Sequence, residues 1–481
     1  MTWMLEWLLA GPLAAIGVWM MLAASLRPRE VGLIQLAFCF FTLQFIMGVI
    51  LIPPLDRMGF DRMAIIRGWY AIWLFWIAVC ITARAWKSPL PHLVYQLRPQ
   101  TETTQGVFSH IMAESLRIRP LHLLLMGLVV HGLHVAMHMK YGIVLSGSFS
   151  FGEMMAVPYP VRALNSVVKF AGIGVALLAV AKIATRQPGR VLCFMVIAME
   201  TAYMFTRGRR FLFAFIIAGF LVYLIPRMRM KMKHAVIIIV CVALLWNFFF
   251  PLFVSVRKQW QINPDAPVSV WFSDAINDLR DDSTVTVSTL SLEDEGYSSI
   301  EARLRAANSI YVVAEAQQQD VPNLRGRVFL GSLVGAVPHA IFPWKRSFHV
   351  YEDEAINSRY HVQTASGDLS TFMPMTGLAD FGLLGALLYG VVFVIIIRLA
   401  QYLYLGMYKH TPLAACIAMG IFIIEVPMQM EHMFLSEITT LRSMLIVMVL
   451  ALIWRTLAGG FAATFAYAQP VPPRRPNAGD P

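Results

Sequence analysis

Apolar runs of membrane length recur along this chain, and no other feature restricts its fold as severely. A helix needs about 20 apolar residues to cross the hydrocarbon core of a bilayer. Windows of that kind fall near 3–25, 31–52, 63–83, 120–142, 162–183, 190–206, 211–226, 235–255, 374–398, 412–430 and 441–458. The expected fold is therefore an all-α polytopic membrane protein with about eleven transmembrane helices. A composition of 58% hydrophobic and 14% charged residues excludes an ordinary soluble domain. The run at the N-terminus is too long for a secretory h-region and lacks a positive n-region, so it reads as a first membrane helix.

The net charge of +11 would suggest nucleic acid in a soluble protein. Here basic cytoplasmic loops and anionic lipid or phosphate partners account for it, and no nucleic acid is expected. The basic loops fix an orientation. RPRE (27–30), the connection 84–119 with Arg84, Lys87, Arg98, Arg117 and Arg119, TRQPGR (185–190), RMRMKMKH (227–234) and the tail with Arg474 and Arg475 all fall on one side. By the positive-inside rule that side is the cytoplasm. The N-terminus then faces outward, which in a Gram-negative cell is the periplasm, and the C-terminus faces inward. Four regions follow: an N-terminal transmembrane bundle (1–255), a large periplasmic loop (256–373), C-terminal transmembrane helices (374–460) and a Pro-rich, disordered cytoplasmic tail (461–481). All five cysteines, Cys39, Cys80, Cys193, Cys241 and Cys416, lie in apolar runs, so the loop has no disulfide framework.

A loop of about 115 residues between membrane helices is normally functional. Within it Ile300, Leu304, Ala307, Tyr311 and Ala314 recur at helical spacing, which predicts an amphipathic helix along the membrane or over a cavity. The preceding acidic run (Asp274, Asp278, Asp281, Asp282, Glu293, Asp294, Glu295) reads as a solvated face. A cluster of titratable groups follows: His339, His349, Glu352, Asp353, Glu354, His361 and Asp368. Groups of these types at a membrane entry point suit acid–base work, although any periplasmic loop carries some.

Three features break the membrane pattern. TRGRR (206–210) puts Arg207, Arg209 and Arg210 on a turn that the topology places outside. Either the hairpin is inverted, or the arginines form an anion site. HGLHVAMH sets His131, His134 and His138 on one helix face. A polar stripe lining a cavity is preferred to a metal site, because no further ligand is identifiable. The segment 144–160, with Glu153, is either re-entrant or a plain connector. There is no P-loop, no Gly-rich dinucleotide fingerprint and no internal repeat.

The order NLRG…VPHAIFPWKR…GLADFGLLG resembles the O-antigen and exopolysaccharide repeat-unit polymerases of the Wzy type, relatives of the O-antigen ligases. Members of that group show a proline-and-basic stretch late in the outer loop, here Pro338, Pro343 and Lys345. A Gly-x-x-Gly pair then opens the next helix, here Gly382 and Gly385. The sequence likeness covers roughly 325–390 and, loosely, TRGRR. The ligases carry a histidine where this chain has Thr371, which favours polymerase over ligase and leaves the base unassigned.

The resemblance implies a GT-C-like membrane fold and a metal-independent glycosyltransferase without cofactors, located in a bacterial inner membrane. The donor would be a growing glycan on undecaprenyl pyrophosphate and the acceptor a single lipid-linked repeat unit. A chain-length regulator and a flippase would be its partners, and anomeric inversion its outcome. Arginines would neutralise the pyrophosphate: Arg207, Arg209 and Arg210, with Arg303 or Arg305 closing from the loop helix. Lys345 and Arg346 would hold the second lipid pyrophosphate, and Asp368, His361 or Asp380 would orient or deprotonate the acceptor hydroxyl.

Two other classes compete. A lipid-linked oligosaccharide flippase calls for midplane ionisable residues, of which Glu200 and Glu425 are the main ones, and often for repeated halves. A ligase or O-acyltransferase calls for a membrane histidine, such as His131, His134 or His138.

Overall fold

A computed structural model describes residues 2–26, 32–42, 60–86, 107–141, 157–207, 266–281, 306–337, 352–360, 372–418 and 434–457, with isolated positions between them. Among the described residues every regular element is a helix. In chain order they are α1 (Thr2–Leu26), α2 (Leu33–Phe41), α3 (Arg62–Ala85), α4 (Val107–Arg117), α5 (Pro120–Tyr141), α6 (Tyr159–Ala184) and α7 (Arg190–Arg207). Then follow α8 (Val268–Asp281), α9 (Ala306–Gln318), α10 (Arg327–Ala336), α11 (Glu352–Tyr360), α12 (Met373–Phe381), α13 (Leu383–His410) and α14 (Phe434–Leu457). Four helices among the described residues are long and apolar enough to cross a membrane: Met4–Ala23, Arg62–Ala85, Pro120–Tyr141 and Leu383–His410. The protein is an all-α membrane protein. The helices α6, α7 and α14 also overlie expected spans, and the other expected spans lie wholly or partly outside the described residues.

The chain divides into two units. One comprises Met1–Ser88, Met228–Leu399 and Glu425–Arg442, and the other Pro89–Arg227, Ala400–Ile424 and Ser443–Pro481. In the first unit α3 is the common packing partner of α1, α9 and α12. Trp69, Ile72, Trp76 and Val79 recur at helical spacing and form its buried stripe. Phe38 and Phe41 of α2 meet the Trp76 ring with centroids 4.6 and 5.4 Å apart, and Phe393 of α13 meets Phe75 at 5.9 Å.

Two elements of this unit bear on the sequence expectation. The loop helix α9 is described from Ala306, and its Ile310, Tyr311, Val313 and Ala314 are fully buried against α3 and α12. It packs into the bundle through this apolar face. The expected span 374–398 is broken instead of continuous. It separates into α12 and α13 at Gly382, whose φ of 70° lies where a side chain would be strained. Beyond this break α13 runs on to His410. The two pieces fold tightly together, because a Cβ on Gly385 would collide with the Gly377 carbonyl.

In the second unit α5, α6 and α7 pack on one another and α4 lies on α6. The helix α4 falls within a connection expected to be only a basic loop. It is amphipathic, with Ile111 and Met112 buried. Lys182 of α6 donates from Nζ to the Ser115 carbonyl at 2.9 Å, placing a cation at the carbonyl end of α4. His110 pairs its Nδ1 with the Tyr404 hydroxyl at 2.8 Å and stacks on Tyr408 with centroids 3.7 Å apart. Burial lowers the His110 imidazole to about 4, so it is neutral at physiological pH.

Candidate functional site

The described residues of 323–389 form, in the first unit, a polar joint between α9, α10, α11 and α12. Gln317, near the end of α9, donates from Nε2 to the Leu378 carbonyl and to Asn323 Oδ1, both at 2.7 Å. The Tyr360 hydroxyl, at the end of α11, donates to the Ala379 carbonyl at 2.8 Å, and the Leu324 backbone N–H reaches the same oxygen at 3.0 Å. These bonds tie the last turn of α12 to the segment that leads into α10. Burial pushes the Tyr360 phenol up, against the Gln317 hydrogen bond and the Arg359 and Arg67 cations.

Asp380 is the centre of the joint and is fully buried. Its Oδ1 accepts from Val328 N at 3.3 Å, and its Oδ2 accepts from Phe329 N at 3.0 Å and from the Tyr389 hydroxyl at 3.1 Å. Val328 and Phe329 belong to the first turn of α10, whose N–H groups have no partner inside the helix. A carboxylate there satisfies them and complements the positive end of the helix dipole. Gly326, in the left-handed region at φ 82°, leaves this N-terminus without a side-chain cap of its own. At the other end Arg442 donates from its guanidinium to the Ala336 carbonyl at 3.1 Å. Thus α10 is held by an anion at its amide end and a cation at its carbonyl end.

Of the residues expected at the site, Asp380 is placed, with both oxygens engaged by this cap. Arg207 is the last residue of α7, and its side chain is not among those described. Arg209, Arg210, Arg303, Arg305, Lys345, Arg346, His361 and Asp368 lie outside the described residues, as does Glu153. The structure adds Arg67, about 8 Å along α3 from its first residue. Its Nε is buried and has no hydrogen-bond partner among the described residues. The sequence signal for it was an arginine inside an apolar run, where ionisable residues are costly. Gln317 gave a weaker signal, a polar residue closing the apolar face of SIYVVAEAQ.

Of the histidine stripe, His131 and His134 face α7 in the second unit, and the side chain of His138 is not among those described. His131 Nε2 is 3.3 Å from Glu200 Oε2, and the His134 ring stacks on Tyr203 with centroids 4.1 Å apart. Glu200 is fully buried. Among the described residues no group of three or more His, Cys, Asp or Glu could hold a metal.

Compared with protein-family models, curated proteins and solved structures, the chain matches none. The class that the fold defines is that of an α-helical membrane protein.

Proposed function

We propose that the chain polymerises undecaprenyl-pyrophosphate-linked repeat units into a surface polysaccharide on the outer face of a bacterial inner membrane. The observation that carries this reading is Arg67. It is a guanidinium near the start of a membrane helix, with a buried Nε that has no hydrogen-bond partner among the described residues and Tyr360 of the outer loop close by. A lipid pyrophosphate presents its charge at this depth, and a guanidinium fork matches phosphate geometry. The resemblance over 325–390 supports the same reaction.

In that reaction an acceptor sugar hydroxyl attacks the donor's anomeric carbon. A new carbon–oxygen bond forms as the bond from that carbon to the phosphate oxygen breaks. Lipid pyrophosphate leaves with the electron pair, and the hydroxyl proton passes to a base. The leaving group is a weak base, so the protein's main task is to neutralise it. Arg67 joins Arg207, Arg209, Arg210, Arg303, Arg305, Lys345 and Arg346 in that role. Asp368 or His361 takes the proton, because Asp380 is occupied in holding α10.

A strain deleted for this chain and restored with wild-type, Arg67→Lys or Arg67→Ala copies tests the reading by its glycan profile. One charge-assisted contact is worth about 1.5–3 kcal/mol, so Arg67→Ala should lower polymer yield at least about tenfold. Arg67→Lys, which keeps the charge and loses the fork, should fall between. Full-length polymer in the Arg67→Ala strain would remove Arg67 from the site. The buried His131–Glu200 pair favours a second reading, a lipid-linked oligosaccharide transporter. In the deletion strain that reading predicts repeat units trapped on the cytoplasmic face, and polymerase predicts single units delivered outside.

A further inference from the structure

We propose that α10 is a membrane-interface helix whose leucine face is covered by the acyl chains of bilayer lipid. The inference rests on membrane embedding and is independent of the polymerase reading. The first observation is where the helix is attached. Asp380, which caps its amide end, stands three residues before the start of the membrane helix Leu383–His410. Arg442, at its carbonyl end, stands at the start of the apolar stretch Leu441–Ile453. A ten-residue helix is about 15 Å long. Both anchors stand at the edge of an apolar run, Asp380 just before Leu383–His410 and Arg442, two turns into α14, at the first residues of Leu441–Ile453, which is the level where chain leaves water for hydrocarbon.

The second observation is its two-sided composition. Val328, Gly331, Ser332, Gly335 and Ala336 are buried on the protein side. Leu330 and Leu333, three residues apart on the opposite face, are 60% and 40% exposed. Ile341, shortly beyond the helix, is 72% exposed. At the same level Leu384, in the first turn of α13, is 78% exposed. The one charge in RVFLGSLVGA is Arg327, exposed and one turn before Leu330 on the same face, so that face is apolar apart from a single cation able to reach the headgroup level. Lipid is the occupant that this depth and this apolar surface both fit.

The test uses the full chain in nanodiscs of phosphatidylethanolamine and phosphatidylglycerol. Its five cysteines are changed to alanine, and an environment-sensitive fluorophore is attached at Leu330→Cys, Leu333→Cys or, as an exposed control on α11, Ser358→Cys. At Leu330 and Leu333 nitroxide lipids labelled high on the acyl chain should quench several-fold more strongly than aqueous iodide, and at Ser358 the order should reverse. Iodide quenching at all three positions would overturn the proposal. So would crosslinking of Leu330→Cys between two copies, which would make the face a contact between chains. A photoreactive amino acid at position 330 of the unmodified sequence gives a second reading should the cysteine-free chain misfold. Phospholipid adducts support the proposal, and their absence beside protein adducts overturns it.

Discussion

Asp380→Ala should destabilise the protein by about 4 kcal/mol by misplacing α10 and, under the proposed polymerase reading, abolish polymer formation. The change leaves two buried backbone N–H groups and the Tyr389 hydroxyl without their acceptor. Each buried donor left unsatisfied costs about 1–3 kcal/mol. Asp380→Asn keeps one acceptor oxygen but turns its amide hydrogens towards donors, so it should lose roughly half as much. Thermal unfolding in detergent, read beside the glycan profile, separates positioning from catalysis. An Asp380→Asn protein as stable as wild type yet devoid of polymer would make Asp380 the acceptor's base, and the capping role would be secondary.

Gly385→Leu should be the second severe change, at about 3 kcal/mol or more, with loss of folded protein in the membrane fraction. Overpacking usually costs about 1–3 kcal/mol because neighbouring side chains can shift. Here the added Cβ meets the carbonyl of Gly377, which has no rotamer to change, and the Cβ of Phe381, which no rotamer moves. Gly385→Ala already introduces that Cβ and should account for most of the loss. Gly11, whose Cβ would meet nothing within 4 Å, is the matched control, and Gly11→Ala should be nearly silent. Near-native melting of Gly385→Ala would mean that α12 and α13 are not held at this distance.

The membrane helices were legible because length and apolarity suffice to mark them. Arg62–Ala85 and Pro120–Tyr141 agree with the windows within two residues. The break at Gly382 is not legible in the sequence, because a Gly-x-x-Gly pair there reads as the opening of one helix. A positive φ is a property of the folded turn. The role of Asp380 was hidden for a different reason: its partners are backbone N–H groups about fifty residues earlier, and backbone donors leave no trace in composition. Arg67 was visible as an arginine in an apolar run, but near a helix end such a residue also reads as a snorkelling flank. That its Nε is buried without a hydrogen-bond partner among the described residues is known only once α3 is packed.

The attachment of α10 has one more consequence. Asp380 and Arg442 are opposite charges coupled through a helix about 15 Å long, and not through direct contact. An ordinary ion pair tolerates exchange of its two members. This one cannot, because the peptide dipoles between the charges point one way only. In the doubly exchanged protein, Asp380→Arg with Arg442→Asp, each substituted charge faces the helix end of its own sign. The exchange should therefore destabilise the joint by about the sum of the two single changes, giving a coupling near zero in a double-mutant cycle where a contact pair would show rescue.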